Sequence, residues 1–113
     1  MKPSMARTYE NLIAGRWVAS SSGETFDSIN PADTSDIVGR FQQSTTEDAR
    51  RAIEAAREAY PSWSEASPSR RAEILHRAAQ LIEADASDLA RLLTREEGKT
   101  LAESTAEVKR AAA

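Results

Sequence analysis

The chain has 113 residues, a net charge of −3 at neutral pH and no cysteine. This length suits a single domain, and a composition of 40% apolar and 29% charged residues is that of a globular protein. The lack of cysteine excludes a disulfide framework, a thiolate metal site and a cysteine nucleophile within these residues, while the negative charge argues against nucleic acid as a partner. No apolar run approaches the roughly 20 residues that span a bilayer, and none follows Lys2 and Arg7, so we expect a cytoplasmic chain without a signal peptide or a membrane partner.

The first part of the chain predicts short strands. Residues 11–18, 24–29 and 37–42 carry apolar residues in β-type runs, and the turn-forming stretches 20–23 and 30–33 separate them. We therefore predict a flexible tail over 1–10 and an antiparallel meander of three strands over 11–43. Three short strands can bury only one face against another element, so the meander should pack on the later part of the chain.

Residues 44–113 predict helices. Thr45 and Asp48 have the spacing of a capping box, in which each side chain accepts a hydrogen bond from the backbone of the other residue, and an apolar stripe at helical spacing follows. Pro61 is predicted to end this first helix, because proline lacks the amide proton that a helix interior needs.

The later helix boundaries are also marked in the sequence. Ser67-Pro68 predicts a second start, with proline at the first helical position, and Asp85 predicts a third. Gly98 is placed as the glycine that follows a helix end, and residues 99–113 predict the start of a fourth helix. The chain stops inside that helix, so we expect an incomplete domain with three to four helices.

No catalytic or cofactor-binding constellation is recognisable. His76 is the only histidine, so it can form neither a triad nor a two-histidine metal site. The four glycines are scattered singly and give neither a dinucleotide fingerprint nor a phosphate loop, and Gly98-Lys99-Thr100 lacks the upstream glycine of such a loop. The sequence therefore predicts no catalytic and no cofactor-binding residue within these 113 positions.

Six strings of residues, in order, resemble the N-terminal part of NAD(P)-dependent aldehyde dehydrogenases. The first is Ile13-Ala14-Gly15-Arg16-Trp17, similar to the family's Ile-(Asn/Ala)-Gly-x-Trp strand, and a later one is Glu97-Gly98-Lys99, similar to its Glu-x-Gly-Lys helix junction. Each string is weak alone, but their shared order makes the resemblance strong over residues 12–108, which match about the first quarter of a typical member. The full set of strings lies at residues 12–18, 28–32, 37–39, 47–63, 71–82 and 97–108.

The resemblance implies an α/β parent fold, in which this segment wraps the nucleotide-binding domain. It also implies a homo-oligomeric enzyme that oxidises an aldehyde or semialdehyde to a carboxylic acid with NAD or NADP, through a cysteine thioester. The family's catalytic cysteine and glutamate and its cofactor-binding groups lie downstream of this segment, so none is assigned here. Two partners are implied: a small-molecule aldehyde and the remainder of the parent chain.

The resemblance also implies one candidate metal site. Some family members bind a monovalent cation through the carbonyl before the Asn-Pro turn and a nearby helical acid, and the matching positions are Ile29, Ser28 and Glu107. Carbonyl and carboxylate oxygens are suitable ligands for a hard cation. The alternative is that Glu107 only decorates a helix face.

Two functional hypotheses remain open. The chain is either an inactive fragment of an aldehyde dehydrogenase or a stand-alone interaction or scaffold module derived from that segment. The fragment hypothesis predicts apolar side chains without a partner inside the chain, among them Leu12, Ile53, Ile74, Leu75, Leu92 and Leu93.

Overall fold

A computed structural model describes residues 6–113. Strands precede helices, as predicted, and the order continues through a fourth helix. The chain forms two compact units: residues up to 29 with 37–65, and residues 30–36 with 66–113. The elements are β1 Thr8–Tyr9, β2 Asn11–Ile13, β3 Arg16–Val18, β4 Thr25–Ile29, β5 Ile37–Gln42, α1 Thr46–Glu65, α2 Pro68–Ala84, α3 Ala86–Glu97 and α4 Leu101–Ala112.

The first unit contains a three-stranded sheet and a separate hairpin. In the sheet, β5 lies between β1, which runs parallel to it, and β4, which runs antiparallel. The predicted single strand over 11–18 is wrong, because β2 and β3 fold back on each other there. Ala14 and Gly15 both have positive φ, of 50° and 74°, as a tight two-residue hairpin turn requires.

The predicted flexible tail over 1–10 contains β1, so the prediction is wrong for that strand, and residues 1–5 of the tail lie outside the described residues. Thr8 pairs with Arg40 and Tyr9 with Phe41. The Tyr9 and Phe41 rings stack at 5.1 Å between centroids. Gly39 leaves room for this stack, since a Cβ atom there would be 2.7 Å from Tyr9 Cε2.

The start of α1 confirms the predicted capping box, and its end does not follow the prediction. The Thr45 amide donates to Asp48 Oδ2 at 2.8 Å, and the Asp48 amide donates to Thr45 Oγ1 at 3.3 Å. The helix continues past Pro61 to Glu65, so the predicted end at Pro61 is wrong. Proline removes one amide donor, and this local loss does not stop the last turn from forming.

The second unit contains the other three helices, whose ends are mostly as predicted. Ser67 Oγ accepts the Arg70 amide at 3.2 Å to begin α2, and Gly98, with φ 79°, ends α3. The predicted cap at Asp85 is wrong, because its side chain makes no capping bond. Its backbone, with φ −100° and ψ 10°, lacks the extended geometry that aims an N-cap side chain at the following amides.

Small residues bring α3 and α4 together in this unit. Ala90 and Val108 are buried, and Ser104 is fully buried, with its Oγ 2.8 Å from Thr94 Oγ1. Both α2 and α3 pack on α4. The core of the helical unit therefore lies along one face of α4.

Many large apolar side chains are exposed. The exposed fraction is 59% for Leu12, 68% for Ile53 and 63% for Leu75. Ile74 and Leu92 are exposed as well, while Leu93 is half-buried. Five of the six residues named from the sequence are thus exposed, in the direction that the fragment hypothesis predicts. No helix within residues 6–113 is long and apolar enough to cross a membrane.

Candidate functional site

The residues predicted to bind a cation belong to both compact units. Ser28 and Ile29 lie at the end of β4 in the first unit, where the register with β5 shifts between them. Glu107 lies on α4 in the second unit and is half-buried. The three residues do not share one compact unit, so the three-residue site stays a prediction.

Glu107 has an ion-pair partner that the sequence analysis did not find. Lys99 Nζ lies 2.8 Å from Glu107 Oε2 and 2.7 Å from Glu97 Oε2, and only 21% of the lysine side chain is exposed. The hydrogen bonds to Glu107 and then to Glu97 raise the pKa of Lys99 above its usual value. The lysine is therefore a permanent, partly buried cation between two carboxylates.

Local structure fixes Lys99 in this place. The left-handed turn at Gly98 ends α3, and Thr100 caps α4 immediately afterwards, so the lysine sits between two fixed helix ends. The Glu103 carboxylate accepts hydrogen bonds from the Thr100 amide and hydroxyl at 2.9 and 2.8 Å. These bonds lower the pKa of Glu103, the hydroxyl contributing most.

A hollow of about 330 Å³ adjoins this ion pair. Its lining combines two cationic side chains, two carboxylates and one alanine. Each of the two carboxylates already has a hydrogen-bonding partner within the unit. The lining residues are Lys99, Glu103, Ala106, Glu107 and Arg110.

A second polar cluster holds the turn over residues 30–36. Arg95 on α3 donates two hydrogen bonds to Asp36, from Nη2 at 2.6 Å and from Nε at 2.9 Å, and the Asn30 side-chain amide adds a third at 3.0 Å. Arg95 first, and then Asn30, lower the pKa of Asp36 to about 2. Because such a forked pair is strong and directional, it fixes the turn on the helix.

A third cluster, in the first unit, surrounds the buried carboxylate of Asp48. The Asp48 carboxylate accepts hydrogen bonds from Ser20 Oγ at 2.7 Å, from the Thr45 amide at 2.8 Å and from the Ser21 amide at 3.1 Å. The Thr45 amide is the largest of several causes that hold the pKa of Asp48 far below its ordinary value. Because this carboxylate stays ionised and accepts several hydrogen bonds, it fastens the turn over residues 20–23 to the start of α1. For the same reason it is poorly suited to transfer protons.

An apolar groove of about 360 Å³ lies in the helical unit. It is lined almost entirely by aliphatic side chains of α2, α3 and α4, and Glu96 is the one charged residue of the lining. The aliphatic residues are Ile82, Leu89, Leu92, Leu93, Val108 and Ala111. Such a groove suits packing against another apolar element more than polar chemistry.

The described residues include few groups that could support catalysis. His76 is exposed, and its Nε2 contacts the Gln80 side-chain amide at 3.2 Å. Residues 6–113 contain no group of three or more His, Cys, Asp or Glu side chains placed to hold a metal ion. These residues offer instead a set of anchored turns, capped helices and apolar surfaces.

Comparison with known proteins identifies the family. Residues 17–113 match the sequence profile described as the aldehyde dehydrogenase family. The chain belongs to this family. It is 44% identical over 103 residues to the alpha-ketoglutaric semialdehyde dehydrogenase of Bacillus subtilis, and 40% identical over 96 residues to the NADP-dependent D-glyceraldehyde dehydrogenase of Thermoplasma acidophilum.

A solved aldehyde dehydrogenase has the same fold over this segment. The NAD-dependent enzyme from Sinorhizobium meliloti superposes on 96% of the chain with a TM-score of 0.90 and 30% sequence identity. The match covers 22% of that structure, and the two sequence matches cover 91% and 85% of this chain but 21% and 19% of those proteins. The α/β fold class and the resemblance to the N-terminal segment of aldehyde dehydrogenases are confirmed, and the chain spans about a fifth of the length of its relatives.

Proposed function

We propose that this segment is the N-terminal part of the nucleotide-binding domain of an enzyme that oxidises an aldehyde or semialdehyde to a carboxylic acid with NAD(P)+. The family match over residues 17–113 carries the proposal. The strands, capped helices and anchored turns give the segment a scaffold role.

The chemistry is proposed to reside in the rest of the enzyme. Oxidation through a thioester needs a cysteine thiolate, and this chain contains no cysteine. The 113-residue chain on its own should therefore be inactive. Its share of the function is to support the domain that binds the cofactor.

The exposed apolar residues support this role. Leu12 and Trp17 on the hairpin, Ile53 on α1 and Leu75 on α2 are more than half exposed, and the groove on α2–α4 is aliphatic. Burying apolar surface contributes about 25 cal/mol per Å², so these faces provide a driving force for packing against further chain. We propose that the remainder of the parent chain covers them.

Substrate and cofactor are proposed only as classes. The named relatives act on a semialdehyde and on a hydroxyaldehyde, and their names include both NAD- and NADP-dependent enzymes. We propose a small aldehyde or semialdehyde as substrate and a nicotinamide cofactor of either type. From the family resemblance, we further propose a cytoplasmic homo-oligomer.

The proposal is tested by comparing two proteins: the 113-residue chain and the product of its coding frame extended to the length of the relatives. With a panel of semialdehydes and either cofactor, reduction is followed by absorbance of the reduced nicotinamide. We expect turnover from the extended protein and none from the short chain. An extended protein that binds neither cofactor nor aldehyde would refute the proposal.

The scaffold-module alternative makes a different prediction for the short chain. A stand-alone module should melt cooperatively and bind little of a dye that reports exposed apolar surface. We expect strong dye binding by the short chain, because large apolar side chains are exposed in its folded form. A sharp melt without dye binding would favour the alternative.

A further inference from the structure

We draw no further inference here: the strongest candidate, the apolar groove between α2, α3 and α4, belongs to the surface already proposed to pack against the remainder of the parent chain, and nothing in the structure shows which segment covers it.

Discussion

The ring of Pro31 lies against the backbone of Gly98, so that a Cβ atom at position 98 would be 2.8 Å from Pro31 Cγ. The same glycine has φ 79°, a conformation that side chains other than glycine rarely adopt. Position 98 therefore needs glycine for two separate reasons. The contact also joins the Asn-Pro turn to the Gly-Lys junction, two of the strings on which the family resemblance rests.

The first prediction follows from this contact. Gly98→Ala should lower the free energy of unfolding by about 2 kcal/mol, through the left-handed backbone and the clash with the proline ring. The control is Gly23→Ala, where φ is 70° but no atom lies within 4 Å of the added Cβ, so only the backbone cost of about 1 kcal/mol applies. Urea unfolding measures both variants, and equal losses would show that the proline contact contributes nothing.

The second prediction concerns the buried carboxylate of Asp48. Asp48→Asn replaces one acceptor oxygen with an NH₂ group that faces the donors of Ser20, Ser21 and Thr45. We expect the melting temperature to fall by several degrees, on the order of 5 °C or more, because buried donors lose their acceptor. Glu47→Gln is the control, since Glu47 is exposed and pairs only with Arg50 among the ion pairs described. Equal melting temperatures for the two variants would show that the hydrogen bonds to Asp48 do not stabilise the fold.

The third prediction is a pH dependence in the helical unit. Arg95 and Asn30 lower the pKa of Asp36 to about 2 in the folded state, from an ordinary value of 3.8. A carboxyl group with a lowered folded-state pKa stabilises the fold above its unfolded pKa, and this contribution is lost as the pH falls from about 4 towards 2. Unfolding followed by circular dichroism at stepwise lower pH should show that Asp36→Asn loses less stability than the wild type over this range. The variant is already less stable than the wild type at neutral pH, because it lacks the Asp36 carboxylate. Asp85→Asn, which removes a carboxylate without a capping bond, should keep the wild-type slope.

The fourth prediction concerns the packing of α3 on α4. Ser104 is fully buried and shares a hydrogen bond with Thr94, so Ser104→Ala should cost about 1 kcal/mol of unfolding free energy. Ser104→Leu should cost roughly 1–3 kcal/mol or more, because the added carbons have no space between the helices. Ala106→Leu, on the exposed face of α4, is the matched control and should be nearly neutral. A neutral Ser104→Leu in denaturant unfolding would contradict the close approach of the helices.

Sequence reasoning succeeded where the physical cause of a feature lies within a few residues. The Thr45–Asp48 box, the Ser67-Pro68 start and the Gly98 stop each depend on local hydrogen bonds or a local backbone angle, and each is confirmed. The capping box that begins α4 could also have been found, because Thr100 is followed three residues later by Glu103.

The errors and omissions have causes that a local pattern does not contain. The prediction that α1 ends at Pro61 follows from a general rule about proline, but the loss of one hydrogen bond does not have to end a helix. The Asp36–Arg95 pair joins residues 59 positions apart, so no spacing rule predicts it. Lys99 and Glu107 are eight positions apart on either side of a helix cap, and their contact depends on how the Gly98 turn directs the chain.

The parallel pairing of β1 with β5 has a consequence for the order of folding. The antiparallel partners β4 and β5 are joined by a short connection and can pair early, whereas Thr8 must find Arg40 across 32 positions of chain. Closing that longer loop costs more entropy and requires β5 to be in place first. During synthesis from the ribosome, β1 emerges before β4 and β5, yet it would be the last of the three strands to join the sheet, and on gentle unfolding it would be the first to leave.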